Sequence, residues 1–302
     1  FRSMLFHSGP GHLFRQAGTR TINTKWQGLY MAHVSRYSNQ ALAIDTTGNY
    51  AGAALYLQSN QSSGGVPQSD ATAILVDDCM ILGWRDGIMS DNLQSSKVSN
   101  TSFYYNANAI TLLGSNSVRG IGSQTEPNVN ALSNLFIQYG QPLTGNLRTG
   151  TGGAATHDSL TVTCSGCSFT ASDLYRVISI PAAGVNATTH FATITAVGSS
   201  NTVTISQPPW TSVTGQTLTI YQAARGHIFA QNAANLKIDG GTFQGSWVSP
   251  SNLSNHAVWL LNCYSPTIDG LWIEDSGGTS GTAIKLQSVN GAQIKGTSLK
   301  GD

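Results

Sequence analysis

Ile238-Asp-Gly-Gly-Thr-Phe243, Ile268-Asp-Gly-Leu-Trp-Ile273 and Ile294-Lys-Gly-Thr-Ser-Leu299 share one six-position pattern. Each has an apolar β-former, a glycine two residues on, and a second apolar residue three beyond that. Two earlier segments, Val98-Ser-Asn-Thr-Ser-Phe103 and Leu132-Ser-Asn-Leu-Phe-Ile137, carry asparagine in place of the glycine. Glycine and asparagine tolerate a left-handed backbone, so both versions predict the same bend between two short strands. Ten residues before four of these motifs stands another β-type apolar residue: Ile88, Ile228, Val258 and Ile284. A unit of strand, turn, strand, bend and strand, repeated with connections of variable length, predicts the rungs of a parallel β-helix.

The composition agrees. Only 10% of the 302 residues are charged, against about 25% in ordinary globular proteins. Small polar residues are abundant, as expected of a surface built from stacked hydroxyls and amides. A net charge of +1 gives no reason to expect a nucleic-acid or membrane-surface partner. No apolar run approaches the roughly 18 residues of a membrane span, so no membrane insertion is expected. The chain opens at Phe1 without a leader and stops at Asp302 just after a bend motif. It reads as a fragment of a longer polypeptide.

The four cysteines read as structural. Cys164 and Cys167 form a lone C-x-x-C with no second pair for zinc, and Cys79 and Cys263 stand among apolar residues as small buried hydrophobes. No phosphate loop, Ser-His-Asp spacing or metal-ligand cluster is legible, so no cofactor and no metal is expected.

Regular rungs are predicted from about Ile74 to Gly140, with residues 1–75 less regular. First-position anchors then lapse until Ile238. The gap holds five period-two segments: 159–163, 175–180, 191–197, 202–205 and 217–221. Separated by Gly-, Pro- and Ser-rich turns, they predict a small antiparallel sheet or barrel. The expected organisation is a first part of the β-helix over 1–140, an inserted sandwich- or barrel-like domain over 141–224, and a continuation of the β-helix over 225–302.

Gly83-Trp-Arg-Asp-Gly-Ile88 leading into Val98–Phe103, and His227-Ile-Phe-Ala-Gln-Asn232 leading into Leu236–Phe243, together with the Val/Thr-rich insertion, resemble the pectate-lyase-like tailspikes and tail fibres of bacteriophages. The resemblance covers most of residues 74–302. It implies an all-β, right-handed parallel β-helix that forms a homotrimer, sits extracellularly at the virion tail, and binds and often cleaves a bacterial surface polysaccharide. The favoured expectation is a depolymerase acting on capsule, lipopolysaccharide or exopolysaccharide. Two others stand beside it: a tail fibre that binds glycan without cutting it, and a secreted pectinase-like enzyme. Family catalytic residues vary in type and place, so none is carried over by motif.

Stacked rungs repeat every ~4.8 Å, so equivalent positions lie one above another. The connections after Phe103, Ile137, Phe243 and Ile273 therefore leave from one corner. That rim would hold the aromatic faces of Tyr105, Tyr139, Trp247 and Trp272 for sugar stacking, and Asn106 and Gln244 for sugar hydroxyls. Glu274 is one of two glutamates in the chain. It is the first candidate for acid/base chemistry, assisted by Asp275 or His256. The alternative is a solvent-face pair of Glu274 with Lys300, which falls in the same column. Asp239 above Asp269 forms a second candidate pair, whose mutual repulsion would raise one pKa. Lys295, or ordinary turn chemistry, accounts for the same residues. Asp77, Asp78, Trp84, Asp86 and Asp91 cluster in sequence, with Asp86 and Asp91 expected on exposed turns. His7 and His12 read as unspecialised.

Overall fold

Ile238 pairs in parallel with Leu132 on one side and Ile268 on the other, and Ile268 in turn with Ile294. Val98 lies beyond Leu132, and Val76 beyond Val98. The motif thus forms a column, one member per turn of the chain. A second column runs through Phe14, Leu55, Ile88, Ile110, Ile228, Val258 and Ile284. It contains all four residues expected ten positions ahead of the bends.

The computed structural model describes residues 3–7, 12–18, 21–35, 43–44, 52–59, 71–91, 93–114, 130–140, 148–174, 176–221, 226–246, 256–276 and 282–300. The fold is all-β, apart from two short 3-10 turns among these residues. Thirteen strands form one large sheet, seven a second, and three short strands a third. Successive turns of the chain visit these sheets in order, and nearly all of the pairing is parallel. No helix among the described residues is long and apolar enough to cross a membrane.

The bend is what allows the coil to close. Gly28, Asp78, Asn100, Asn134, Gly240, Gly270 and Gly296 occupy one column, with φ of 64°, 51°, 49°, 52°, 64°, 63° and 56°. Only Gly, Asn and Asp stand there, the residues for which a left-handed backbone costs least. The asparagines add a ladder: Asn134 donates to Asn100 Oδ1 at 2.8 Å, and Asn100 to Asp77 Oδ1 at 2.9 Å. Between bends, inward side chains such as Phe103, Leu132, Phe243, Val258 and Ile273 fill one continuous core. Each large apolar side chain buried there contributes about 1.5–3 kcal/mol.

The stacking begins earlier than Ile74. Ser3–His7 pairs in parallel with the strand Leu29–Ser35, and Phe14–Gly18 with Ala53–Ser59. Trp26-Gln-Gly28-Leu-Tyr-Met31 and Val76-Asp-Asp78-Cys-Met-Ile81 satisfy the same geometry with a tryptophan or an aspartate at key positions.

Between the strands Ala131–Gly140 and Gly226–Gln231 lies a closed antiparallel barrel. Its strand order is Arg148–Ala155, Thr161–Cys164, Thr202–Ile205, His190–Ser199, Val177–Ile180 and Val213–Tyr221. Alternate residues, including Val162, Ile178, Ile194, Val203 and Leu218, form its core. The first strand is additional to the sequence expectation. Arg148-Thr-Gly-Thr-Gly-Gly-Ala-Ala155 lacks the period-two apolar pattern, yet a Cβ at Gly150 would lie 2.4 Å from Cys167 Sγ and one at Gly153 2.4 Å from Leu218. Those glycines serve close packing. Cys164 and Cys167 are joined as a disulfide, while Cys79 and Cys263 are buried free thiols.

The barrel packs against the outer face of the seven-stranded sheet. That face presents Arg15, Tyr56, Met89, Thr111, Phe229, Trp259 and Lys285 in one column. Val177, Phe191 and Tyr221 of the barrel meet the apolar members, with Phe191 5.5 Å from Phe229 and 6.0 Å from Trp259 between ring centroids. One expectation is corrected here: Asp86 and Asp91 are strand residues and fully buried. The barrel covers Asp91, while Asp86 is held by Arg85 and Thr111 of the coil. Asp91 accepts from Tyr56 Oη at 2.8 Å, Ser206 Oγ at 3.2 Å and Gln207 Nε2 at 3.4 Å. Burial nevertheless raises its pKa to about 6.

Candidate functional site

On the large sheet, the residue after each inward apolar anchor points outward. This forms the column Leu82, Tyr104, Gln138, Gln244, Glu274 and Lys300. Residues 138, 244 and 274 thus share one rim, as the motif alignment requires. The residue before each anchor forms a parallel outward column: Tyr30, Met80, Ser102, Phe136, Thr242 and Trp272. The two columns make a strip whose one end is apolar and whose other end is polar. Tyr104 and Phe136 lie 5.7 Å apart at the apolar end, and Trp272 is 47% exposed at the other.

The polar end is a closed network. Lys300 Nζ donates to Glu274 Oε1 at 2.6 Å, and Gln244 Nε2 to Glu274 Oε2 at 2.9 Å. The bonds from Lys300 and Gln244, and a smaller one from the Trp272 side chain, hold the Glu274 pKa below the usual carboxylate value. At neutral pH this group is ionised. It can accept a proton or a hydroxyl hydrogen bond, but it has no proton to donate. Three residues picked out from sequence, Gln244, Trp272 and Glu274, therefore come together, with Lys300 as the fourth member.

His256 lies elsewhere. It begins the strand His256–Leu261 of the seven-stranded sheet, where Nδ1 is 2.8 Å from Thr282 Oγ1. Burial and Lys285 lower its pKa to about 4, so its ring is neutral at pH 7. Asp239 and Asp269 are neighbours in register, but the Asp239 carboxylate is paired with Lys237 at 2.7 Å. That lysine, rather than Lys295, supplies the neutralising contact, and its own pKa is raised by the bond. Lys295 stands next to Asp269 in the column.

Tyr105 occupies a bend beside Tyr104, with φ of 55°, and is half-buried. Asn106 is buried: its Oδ1 accepts from the Trp84 backbone N–H at 2.8 Å and its Nδ2 donates to the Ile81 carbonyl at 2.9 Å. That engagement fits a framework role. Asn106→Ala is expected to lower stability by about 2 kcal/mol, because two buried backbone groups lose their partners. A fall in the urea midpoint at unchanged m-value is the readout. Trp247 lies outside the described residues. For Tyr139 and Asp275 the structure describes the strands Ala131–Gly140 and Thr267–Ser276 that carry them. Tyr104, Phe136 and Gln138 are members of the strip that sequence reasoning did not select. Their signal was available in the register, since each stands one residue from an inward anchor.

No family model matches the chain, and no curated protein matches it. Among solved structures it is similar to the Gp54 tailspike of Acinetobacter baumannii bacteriophage AP22 in complex with A. baumannii capsular saccharide. That likeness has 10% identity and a TM-score of 0.23, over 75% of this chain and 41% of that chain. It is also similar to the catalytic domain of a GH87 alpha-1,3-glucanase in complex with nigerose, at 11% identity and a TM-score of 0.21, over 99% of this chain and 61% of that chain. The chain spans about two fifths and about three fifths of these two proteins. At such scores neither likeness carries weight for fold or function.

Proposed function

We propose that this chain is a tailspike-type protein that binds and cleaves a bacterial surface polysaccharide, with the outward strip of the large sheet as its glycan site. On this reading the coil is a right-handed, pectate-lyase-like parallel β-helix over 1–140 and 225–302, with the barrel as an inserted domain over 141–224. It works as a homotrimer at the virion tail. The observation that supports the reading is the strip itself. An exposed indole stands beside a carboxylate, an ammonium and an amide, and this is followed along the coil by Phe136 and Tyr104. Flat aromatic faces stack on sugar C–H groups, and the polar network offers both donors and acceptors to hydroxyls. Phe136 and Trp272 are two rungs apart, about 10 Å, so an extended glycan can meet both.

In the cleaving role, Glu274 serves as a base or nucleophile, since Lys300 and Gln244 keep it ionised. Asp275 remains its proposed assistant and Tyr105 a proposed sugar contact, whereas His256, buried on the seven-stranded sheet, is no longer assigned to this chemistry. The binding-only reading draws on the same network, because both Glu274 oxygens are already engaged. The two readings separate by experiment. Purified chain is incubated with host capsular polysaccharide, and new reducing ends and unsaturated uronates are measured. Glu274→Gln is expected to abolish product while leaving binding and folding intact. Trp272→Ala is expected to weaken binding about tenfold or more, the scale of a lost aromatic stacking contact. Binding without product in the unaltered chain would leave the tail-fibre reading in place. Full activity in Glu274→Gln would remove that residue from the chemistry.

A further inference from the structure

From Ser102 to Lys300 the two outward columns of the strip hold serine, threonine, glutamine and aromatic side chains, and two charged ones, Glu274 and Lys300. These two neutralise each other, with Lys300 Nζ 2.6 Å from Glu274 Oε1. The other carboxylate oxygen accepts from Gln244 at 2.9 Å. The Lys300 side chain is 60% exposed, so a ligand lying on the strip can reach the ammonium. The sequence carries the same balance past the strands. Residues 141–147, 247–255 and 277–281, which follow the strip's strands in the chain, contain no Asp, Glu, Lys or Arg. The residue after Glu274 is Asp275, a further carboxylate and not a cation.

This arrangement treats charged and uncharged sugars differently. A uronate carboxylate arriving at Lys300 meets an ammonium whose charge is already matched. It gives up its hydration without gaining an unmatched cation in return, and Glu274 repels it. A sugar hydroxyl pays no such penalty. It can donate to a carboxylate lone pair, or accept from an ammonium or amide N–H, and its ring can still stack on the exposed Trp272.

We infer that the strip selects glycan chains built from uncharged sugars, and that Glu274 is the residue that rejects acidic ones, by matching the charge of Lys300. The inference rests on the strip being the glycan site, as proposed above, and adds the class of sugar that it takes. Discrimination of this kind acts against a competitor and adds nothing to affinity for the chosen ligand. It needs only the charge of Glu274, and so is independent of whether that group also acts as a base.

The test uses the whole chain and a panel of immobilised bacterial surface polysaccharides. Each acidic member is also presented after carboxyl reduction, which turns its uronates into neutral hexoses with the linkages unchanged. The unaltered chain is expected to bind uncharged members, and to bind a reduced form about tenfold or more tighter than its acidic parent, the scale of one charged contact. Raising salt from about 0.05 to about 0.5 M should change binding of uncharged members by less than about twofold, since no net charge is screened. Glu274→Gln frees Lys300, and should strengthen binding of the acidic parents about tenfold while shifting the neutral forms less than about threefold. The double variant Glu274→Gln, Lys300→Gln should lose that gain, which ties the effect to the ammonium and guards against a general change in the fold. Acidic parents bound as tightly as their reduced forms, no gain in Glu274→Gln, or no binding of any member would overturn the inference. Binding that Trp272→Ala leaves unchanged for every member would overturn the strip as the glycan site, a failure distinct from a wrong charge preference.

Discussion

Between pH 6.5 and pH 4.5 the folded chain is expected to lose about 5 kcal/mol of stability, through two buried histidines and one half-buried histidine that resist protonation. Burial lowers the pKa of His12 to about 3, and those of His190 and His227 to about 4. Unfolded, each titrates near 6.5. A group whose folded pKa is depressed binds fewer protons folded than unfolded. Its stabilising contribution is complete above about pH 6.5 and drains away as pH falls toward the folded value. Asp91 acts in the opposite sense. Its folded pKa of about 6 lies above the unfolded value, so its contribution is full below about pH 4 and is lost as pH rises through 6. Three histidines against one aspartate leave a net uptake of about two protons on unfolding near pH 5, or about 3 kcal/mol per pH unit. The total is comparable to the lower end of domain stability, about 5 kcal/mol, so acid unfolding is expected close to pH 4.5. His256 adds to the same trend. Urea titrations at half-unit steps from pH 7 measure the slope directly. His227 Nε2 has no partner, so His227→Phe should reduce the slope by about 1.4 kcal/mol per unit. An unchanged slope in that variant, or a flat profile in the parent chain, would contradict this account.

Gly241→Ala is expected to cost about 3 kcal/mol or more, while Gly240→Asn next to it costs less than about 1 kcal/mol. The motif puts its glycine at 240, where φ is 64°. Asparagine already serves the same column at 100 and 134, with φ of 49° and 52°. A Cβ at Gly240 would meet nothing nearer than the Asn134 nitrogen at 3.9 Å. Gly241 is the more demanding position. Its φ is 132°, and a Cβ would lie 2.6 Å from the Leu135 carbonyl oxygen on the neighbouring rung. That atom is backbone in the middle of a parallel sheet, so it cannot yield as a flexible side chain would. Equilibrium unfolding of the two variants in one buffer compares them. Equal losses, or a larger loss for Gly240→Asn, would refute the distinction.

The contrast between 240 and 241 marks how far local patterning reaches. The bend was legible because a left-handed backbone selects Gly, Asn or Asp whatever surrounds it. The inward columns were legible because side chains alternate along a strand, so Ile228, Val258 and Ile284 could be aligned before any coordinate was known. The outward strip followed from the same alternation, and with it the meeting of Gln244 and Glu274. The first barrel strand was missed because its glycines serve packing against Cys167 and Leu218, a need that exists only once the barrel is closed.

Chain order and alternation determine which residues share a column and which side of a strand they occupy, because both are properties of a few consecutive residues. Tertiary structure alone decided which outward columns meet solvent and which are covered. The barrel is joined to the coil in sequence near Gly140, yet it lies on the seven-stranded sheet, where its Ser206 and Gln207 close over Asp91 and turn an expected turn residue into a buried one. Burial and long-range charge depend on surfaces brought together from distant stretches of chain, and no short window of sequence carries that information.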